Sequence, residues 1–367
     1  MNNNYYELIN KIQKCKQMYI YGAGIIAYGA SEAIDKLYHR EVSAYIVSDK
    51  NNNPDIYADT KVIGISEYAD VMEKGDIVIV ATPPEYFKDI ENSLLNIGCE
   101  EYILISPELE YVLMGEYFKQ FYEISCIEDL TYTTEIKLMD AKVYMAVSHN
   151  DRNLNAKYIE EKYVEKIQVG KANTDVVHSE VVLFDDFGEN ISKQNYLYGE
   201  LTATYSIWKH YQHDILGLFH YRRILDVKEE QFALFNEGKI DVILPLPFVC
   251  YPDASGQYGR YVCEEDLNVM KDVIFEYYPE LKEAVMDSLN SPILYNYNML
   301  IARKEVFNDY CEWMFPLLEE ITTRCEKVQR DRSSRYIGRI GEILSSLYFT
   351  INRKKWNITH AQKIWRV

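Results

Sequence analysis

Short apolar segments alternate with amphipathic ones between residues 18 and 105, and this alternation constrains the fold more than any other feature. The intervening segment 25–37 has helical spacing of its apolar residues. Apolar strands that alternate with amphipathic helices are typical of a doubly wound parallel sheet. The strand-like segments are 18–24, 42–49, 76–82 and 101–106. We therefore predict a Rossmann-like α/β domain in this part of the chain.

The second half repeats this pattern less regularly. One long helix is predicted over 193–211, with Ser192 as its N-cap, and another over 306–324. The predicted strands of this half are 141–150, 181–186, 214–220, 241–248 and 293–302. We predict a nucleotide-binding-type domain over 1–115, a linker over 116–140 and a second α/β domain over 141–367.

Composition excludes several classes of function. Among 367 residues, 39 Lys and Arg face 57 Asp and Glu, which gives a formal charge of −18. Such a charge argues against a general nucleic-acid binder, although a local basic pocket for a small anion remains compatible with it. The seven Cys include no Cys-x-x-Cys pair, so neither a zinc knuckle nor a thioredoxin-type site is predicted.

The sequence also predicts where the protein works. The start lacks the pattern of a signal peptide, and no apolar run approaches the roughly 20 residues that span a bilayer. Together with an odd number of Cys, this predicts a cytoplasmic protein with reduced thiols. Peripheral association with the inner face of the plasma membrane and homo-oligomerisation stay open.

A glycine-rich turn follows the first strand. Gly22, Gly24 and Ala27 match the G-x-G-x-x-A pattern, in which the glycines permit a tight turn and the approach of a phosphate. Asp49 follows the second strand, where a carboxylate could meet a ribose hydroxyl. The alternative is a turn that binds nothing or binds a nucleotide-sugar. NAD(P) is not the favoured cofactor, because no Tyr-x-x-x-Lys pair occurs in a suitable place.

In the second half, the segment 215–219 is apolar at every position, which predicts a strand buried on both faces. It runs directly into His220, Tyr221, Arg222 and Arg223. Guanidinium groups at a buried strand end are costly unless an anion meets them, and ligands bind at this end of open α/β sheets. A pyrophosphate would suit the two arginines. The alternative is pairing with structural carboxylates such as Asp185 or Glu200.

Two further sets of polar residues follow predicted strands. Asp185 and Asp186 could hold a divalent metal, accept a sugar hydroxyl or cap the next helix. Asn296 and Asn298 lie two apart, so they would share one face of the strand 293–302 and either orient a ligand or brace a loop.

These motifs resemble a bacterial domain family. The segments Phe184–Ser192, Glu200–Ala203, Leu218–Arg223 and Tyr297–Ile301 are similar to segments of the domain of unknown function 4422. That domain occurs in capsular and exopolysaccharide glycosyltransferases. The resemblance covers residues 141–350, whereas the first half resembles Rossmann-like domains more loosely.

The resemblance implies a GT-A-like glycosyltransferase domain, in which the loop after the first strand meets the nucleotide. It implies His220, Arg222, Arg223, Asp185, Asp186 and Glu342 as catalytic candidates. It implies Ser148, His149, Asn190, Glu200, Tyr221, Asn296 and Asn298 as candidates for binding the sugar donor. The histidine-arginine segment would occupy the place of the Asp-x-Asp metal motif, which this sequence lacks. A requirement for Mn²⁺ or Mg²⁺ therefore stays open, and no metal ligand is assigned.

The resulting hypothesis is a transferase that moves a sugar from a UDP-linked donor, with galactose or galactofuranose as the sugar. The acceptor would be a glycan or lipid-linked oligosaccharide in capsular, exopolysaccharide or O-antigen synthesis. Two alternatives remain: an NAD(P)-dependent sugar-nucleotide oxidoreductase or epimerase that uses the Gly22 turn, and a first half that is only an assembly or nucleotide-sensing module.

Overall fold

The computed structural model describes residues 3–133, 139–152, 161–330, 332 and 334–365. The chain divides into two compact units. The first consists of residues 1–124 together with 248–252, and the second of 125–247 together with 253–367.

The first unit is built around a parallel sheet. Its helices are α1 (Asn3–Lys14), α2 (Ile25–Tyr38), α3 (Ile65–Val71), α4 (Phe87–Asn96) and α5 (Pro107–Tyr122). Its strands are β1 (Met18–Tyr21), β2 (Ala44–Val47), β3 (Ile56–Tyr57), β4 (Thr60–Gly64), β5 (Ile77–Val80) and β6 (Tyr102–Leu104). The order β3-β4-β2-β1-β5-β6 is parallel except for the β3–β4 hairpin, so the predicted Rossmann-like sheet is confirmed.

Burial explains why the apolar segments became strands. Every residue of β1, β2 and β5 is buried, because helices cover the central strands from both sides. The predicted linker 116–140 begins inside α5, whose Leu113 and Phe118 are fully buried in this unit. Residues 134–138 of that linker lie outside the described residues.

The second unit contains a larger mixed sheet. The strands of this sheet are β7 (Ala141–Val147), β8 (Val164–Gln168), β9 (Leu183–Phe184), β10 (Ile215–His220), β11 (Arg223–Leu225), β12 (Val242–Pro245), β15 (Leu300–Arg303), β16 (Ile358–Ala361) and β17 (Lys363–Trp365). The unit also contains β14 (Ile293–Leu294), whereas β13 (Phe248–Val249) is counted in the first unit. Its helices are α6 (Asn195–Tyr198), α7 (Leu201–His210), α8 (Ala233–Asn236), α9 (Ala254–Tyr258), α10 (Glu264–Tyr277), α11 (Lys282–Leu289), α12 (Lys304–Glu326) and α13 (Tyr336–Ile351).

The topology of this sheet brings several strand ends to one edge. The strand order is β16-β12-β15-β10-β7-β8-β9, with β11 and β17 attached to the end of β10. Strands β7 to β10 are mutually parallel, whereas β15 is antiparallel to β10 and β12. The carboxyl ends of β7, β8, β9 and β10 therefore meet at the same edge, which in open α/β sheets is the ligand-binding edge.

The helix predicted over 193–211 is interrupted. Gly199 lies between α6 and α7 with φ +59° and ψ −132°, a conformation that favours glycine and ends α6. Ser192 is not the N-cap that the sequence predicts. Its hydroxyl donates to Asp185 Oδ1 at 2.5 Å instead.

The strand predicted over 293–302 is also wrong in its middle. Only Ile293–Leu294 and Leu300–Arg303 are strands. Between them, Tyr297 and Asn298 adopt positive φ values of +79° and +49°, which a β-strand does not allow. Asn296 and Asn298 therefore do not share one face of a strand.

Candidate functional site

A small cavity lies at the carboxyl ends of β7, β8 and β10. Its volume is about 80 Å³, which suits a single phosphate-sized group rather than a whole nucleotide-sugar. The wall combines strand ends with the α6–α7 junction. The lining residues are Ala146, Ser148, Asp151, Val169, Asn195, Gly199, Glu200, His220, Tyr221 and Arg335.

The central strand β10 positions His220 at this cavity. Residues 215–219 are buried at every position, as the sequence predicts. Gly217 is required there, because a Cβ would lie 2.6 Å from the Leu300 carbonyl oxygen of β15. The strand ends at His220 and turns back at once, since His220 pairs with Arg223 of β11.

The turn gives the two arginines different environments. The Arg223 guanidinium lies 4.4 Å from the ring centre of Tyr297 and 4.3 Å from that of Trp365. Its Nε is buried and has no hydrogen-bond partner. Arg222 is exposed and lies over the ring of Tyr221. Neither arginine forms an ion pair with a carboxylate within the described ranges, so pairing with Asp185 or Glu200 is not observed.

His220 and Asn298 converge on Glu200, the residue before the first turn of α7. Asn298 Nδ2 donates to Glu200 Oε1 at 2.8 Å and to the Gly338 carbonyl at 3.2 Å. His220 Nε2 lies 3.6 Å from the same Glu200 oxygen. Burial lowers the pKa of His220, although the Glu200 carboxylate opposes the change. His220 Nε2 and Asn298 Oδ1, like Arg223 Nε, are buried atoms without a hydrogen-bond partner.

Unpartnered buried polar atoms are uncommon, because each costs about 1–3 kcal/mol relative to the hydrated group. Two of them belong to residues beside the Glu200 carboxylate, and the third belongs to Arg223, which pairs with His220 across the turn. A ligand that supplies donors and acceptors would remove this cost. The cluster of Glu200, His220, Arg223 and Asn298 is therefore our candidate site.

Glu342 reaches this cluster from α13. Two glycines let that helix approach α6 and α7 closely: a Cβ on Gly338 would lie 2.9 Å from the Tyr198 carbonyl oxygen, and one on Gly341 would lie 2.3 Å from Leu201 Cδ1. Burial, followed by the neighbouring Glu200 carboxylate, raises the pKa of Glu342 to about 8. Glu342 is thus mostly protonated at neutral pH and can donate a hydrogen bond.

The raised pKa predicts a pH dependence of stability. A carboxyl whose pKa is higher in the folded than in the unfolded chain makes the fold less stable as the pH rises from about 4.5 to about 8. Glu342→Gln cannot ionise and removes this term. We expect the free energy of unfolding of the wild type to fall relative to that of Glu342→Gln by on the order of 2 kcal/mol between pH 5 and 8.5. Urea unfolding at both pH values measures it.

The control for this prediction is Glu312→Gln, which removes an exposed carboxylate from α12. Its stability should follow that of the wild type across the same pH range. An equal pH dependence in the wild type and Glu342→Gln would show that Glu342 titrates normally.

The loop after β7 forms another part of the cavity wall. The Ser148 amide donates to Asp151 Oδ2 at 2.8 Å, and Asp151 also forms a side-chain hydrogen bond with Tyr221. Burial, followed by the Asp151 carboxylate, raises the pKa of Tyr221. His149 lies in this loop next to Ser148 but does not line the cavity.

The two adjacent aspartates at the end of β9, Asp185 and Asp186, differ in burial and in hydrogen bonding. Asp185 is fully buried and accepts hydrogen bonds from the amides of Gly170 and Lys171, at 2.8 and 3.1 Å, and from Ser192 Oγ. Asp186 is exposed. Asn190 uses its amide to donate to the carbonyls of Asp186 and Gly188 within the same turn. This segment thus braces the loops behind the cavity.

A divalent metal would need several oxygen or nitrogen ligands together. Within the described ranges, no three His, Cys, Asp or Glu side chains come together as such a site requires. We therefore assign no metal ligand at this edge and derive no step through a metal.

The chain matches a known protein family and resembles a solved structure. Residues 142–354, more than half of the chain, match the model of a family described as Domain of unknown function (DUF4422). This chain belongs to the DUF4422 family. It is also similar in structure to a protein described as "WbbM bifunctional glycosytransferase apo structure", at 23% identity and a TM-score of 0.52. That alignment covers 62% of this chain and 45% of the other. No curated protein matches the chain.

The two sheets confirm the predicted α/β fold class, with a Rossmann-like parallel-sheet domain first, and the structural likeness shows that the chain shares a fold with a glycosyltransferase. The alignment spans less than half the length of the other protein. Within the described part of the chain, no helix has the length and apolarity of a membrane span.

The DUF4422 domain brings together only some of the residues that the sequence singles out. His220, Arg223, Glu200, Asn298 and Glu342 converge. The others lie beside the cavity, in a turn or on the surface: Ser148, His149, Asp185, Asp186, Asn190, Tyr221, Arg222 and Asn296. Asn296 Oδ1 accepts a hydrogen bond from the next amide, that of Tyr297.

Sequence reasoning missed the aromatic partners of Arg223 and the basic wall residue Arg335. Trp365 reaches the site because β17 pairs with β11, so that Trp365 lies opposite Arg223. No local sequence pattern predicts the pairing of β17 with β11, because about 140 residues separate the two strands. For Arg335, the only sequence signal for a place in the site is its positive charge just before α13.

The glycine turn of the first unit has the predicted local form. Gly22 has φ +121°, and a Cβ there would lie 2.8 Å from the Ala81 carbonyl oxygen, whereas a Cβ on Gly24 would meet nothing within 4 Å. Ala27 is buried in the first turn of α2. Asp49 is exposed and accepts hydrogen bonds from Asn51 and Asn52. Its carboxylate thus serves a local turn.

Proposed function

We propose that this chain is a glycosyltransferase that moves a sugar from a nucleoside-diphosphate donor to a glycan hydroxyl. The observation that carries the proposal is the Arg223 guanidinium, which is held between two aromatic rings at the ligand-binding edge and has no carboxylate partner within the described residues. Membership of the DUF4422 family and the fold shared with a glycosyltransferase support it.

Transfer of a sugar from a nucleoside diphosphate produces negative charge that the arginine side chains can stabilise. The bond between the anomeric carbon and the phosphate oxygen breaks, and its electron pair stays on the departing nucleoside diphosphate. A guanidinium fixed in advance stabilises that negative charge without further reorganisation. Arg223 would meet the pyrophosphate, and Arg222 and Arg335 would add positive charge at the mouth of the cavity.

Glu200 is the carboxylate that we assign to the reacting sugar. It lines the cavity, Asn298 Nδ2 donates to its Oε1, and His220 Nε2 lies 3.6 Å from the same oxygen. A carboxylate there can stabilise positive charge on the anomeric carbon or take the proton of the acceptor hydroxyl. Glu342, protonated at neutral pH, would donate a hydrogen bond rather than act as the base.

The finer part of the proposal follows the family resemblance. It comprises a UDP-linked donor with galactose or galactofuranose as the sugar, and a lipid-linked oligosaccharide as the acceptor. The pathway would be capsular, exopolysaccharide or O-antigen synthesis, at the cytoplasmic face of the inner membrane.

Calorimetric titration of the purified chain with UDP and with NADH, each with and without Mn²⁺, tests the proposal. We expect UDP to bind with micromolar affinity and NADH not to bind. A change in UDP affinity with Mn²⁺ would show that the metal enters with the nucleotide. Tight binding of NADH without binding of UDP would contradict the proposal and favour an oxidoreductase that uses the Gly22 turn.

A further inference from the structure

A second cavity of the DUF4422 unit shares helix α6 with the small cavity of the candidate site. Its volume is about 590 Å³, within the range of pockets that hold a whole small ligand. Residues 196–198 of α6 line it, whereas Asn195, Gly199 and Glu200 line the small cavity. The short helix α6 therefore contributes to the walls of both cavities.

One wall of this groove comes from α12. Pro316, Glu319, Thr323 and Glu326 line it, and all four are exposed. Neither Glu319 nor Glu326 forms an ion pair with a described residue. The groove thus offers hydrogen-bond acceptors that are not engaged by the protein.

The opposite wall is aromatic. Trp208 is already engaged by the protein, because Phe315 stacks on it at 5.6 Å and the Lys209 ammonium lies 3.9 Å from its ring centre. Tyr196 differs, since 64% of it is exposed and its ring is free to pack against a ligand. An exposed tyrosine beside unpaired carboxylates is a suitable surface for a sugar, whose C–H face packs on the ring while its hydroxyls donate to the carboxylates.

The charge of the groove defines which ligands fit. Among the described residues that line the groove, three are carboxylates, Glu189, Glu319 and Glu326, and one is a cation, Lys209. The Lys209 ammonium lies 3.1 Å from Glu189. Phosphates and acidic sugars would be repelled. The groove therefore does not suit the nucleotide part of a sugar donor.

We infer that this groove, which shares α6 with the sugar-donor site, binds a neutral segment of the acceptor glycan. That the bound glycan is the acceptor rests on the proposed transferase activity. The binding itself requires no donor, so the two proposals can fail separately. Tyr196 supplies the stacking surface, and Glu319 and Glu326 accept hydrogen bonds from sugar hydroxyls.

A printed array of neutral and uronic-acid-containing oligosaccharides, probed with the labelled full chain, tests this inference. We expect the wild type to bind neutral glycans, and Tyr196→Ala and Glu319→Gln each to weaken this binding at least about 10-fold. Tyr86→Ala is the matched control, because Tyr86 is similarly exposed but lies in the first unit. Melting temperatures of all variants check that they are folded.

Four outcomes would overturn the inference. The first is binding of no neutral glycan, and the second is a preference for the acidic ones. The third is glycan binding that Tyr196→Ala leaves unchanged. The fourth is tighter binding of oligolysine, which displaces the glycan, since that would identify a site for a basic peptide. If UDP does not bind but neutral glycans do, the transferase proposal fails while the glycan site stands.

Discussion

Arg223→Met lowers kcat/KM for transfer from a UDP-sugar at least about 100-fold, whereas Arg222→Met lowers it no more than about fivefold. The difference follows from their surroundings: Arg223 is fixed between Tyr297 and Trp365 with a buried Nε, and Arg222 is exposed over Tyr221. A preorganised cation that stabilises the leaving group contributes about 3 kcal/mol or more, and an exposed one much less. Initial rates with both variants measure the effect.

The variant Arg223→Lys controls for loss of activity through unfolding. Arg223→Lys keeps the charge but replaces the planar fork, so it should retain the fold and recover only part of the activity. The affinity for UDP should fall in the same order, from wild type to Arg223→Lys to Arg223→Met. Equal losses in Arg222→Met and Arg223→Met would contradict our assignment of the pyrophosphate to Arg223.

Asp185→Ala destabilises the second unit by about 3 kcal/mol, whereas Asp186→Ala changes its stability by less than about 0.5 kcal/mol. Asp185 is fully buried and accepts hydrogen bonds from Gly170, Lys171 and Ser192, so its removal leaves those donors without a partner. Asp186 is exposed. Urea unfolding followed by circular dichroism measures both variants.

Asp185→Asn provides the intermediate case, because an amide oxygen can still accept from one backbone amide. We expect it to lose less stability than Asp185→Ala. An Asp185→Ala variant that is as stable as the wild type but no longer binds UDP would show that Asp185 is a ligand-binding group and not a brace.

Local patterns in the sequence predicted the strands that carry the site. The uninterrupted apolar run 215–219 had to be buried on both faces, and the polar residues after it had to lie at the end of that strand. Alternation of strands and helices likewise predicted the parallel sheet around β1. These features depend on neighbouring residues only, so the sequence carries them.

The loop before β15 shows where such patterns fail. The apolar residues around Asn296 and Asn298 favour a strand, yet Tyr297 and Asn298 have positive φ values. The Asn298 amide is fixed by Glu200 and by the Gly338 carbonyl, which come from distant segments. Contacts of this kind outweigh a local preference, and they are not visible in the sequence around the loop.

The sequence by itself determined that histidine, arginine and aspartate residues stand at the ends of buried strands, because the period of apolar residues sets where each strand ends. Only the tertiary structure decided which arginine and which aspartate of each adjacent pair is enclosed by the fold. Pairing of β17 with β11 brings Trp365 to Arg223 and leaves Arg222 in solvent, and the turn at Gly170 encloses Asp185 but not Asp186. Adjacent identical residues have the same local sequence, so only long-range packing can give them different roles.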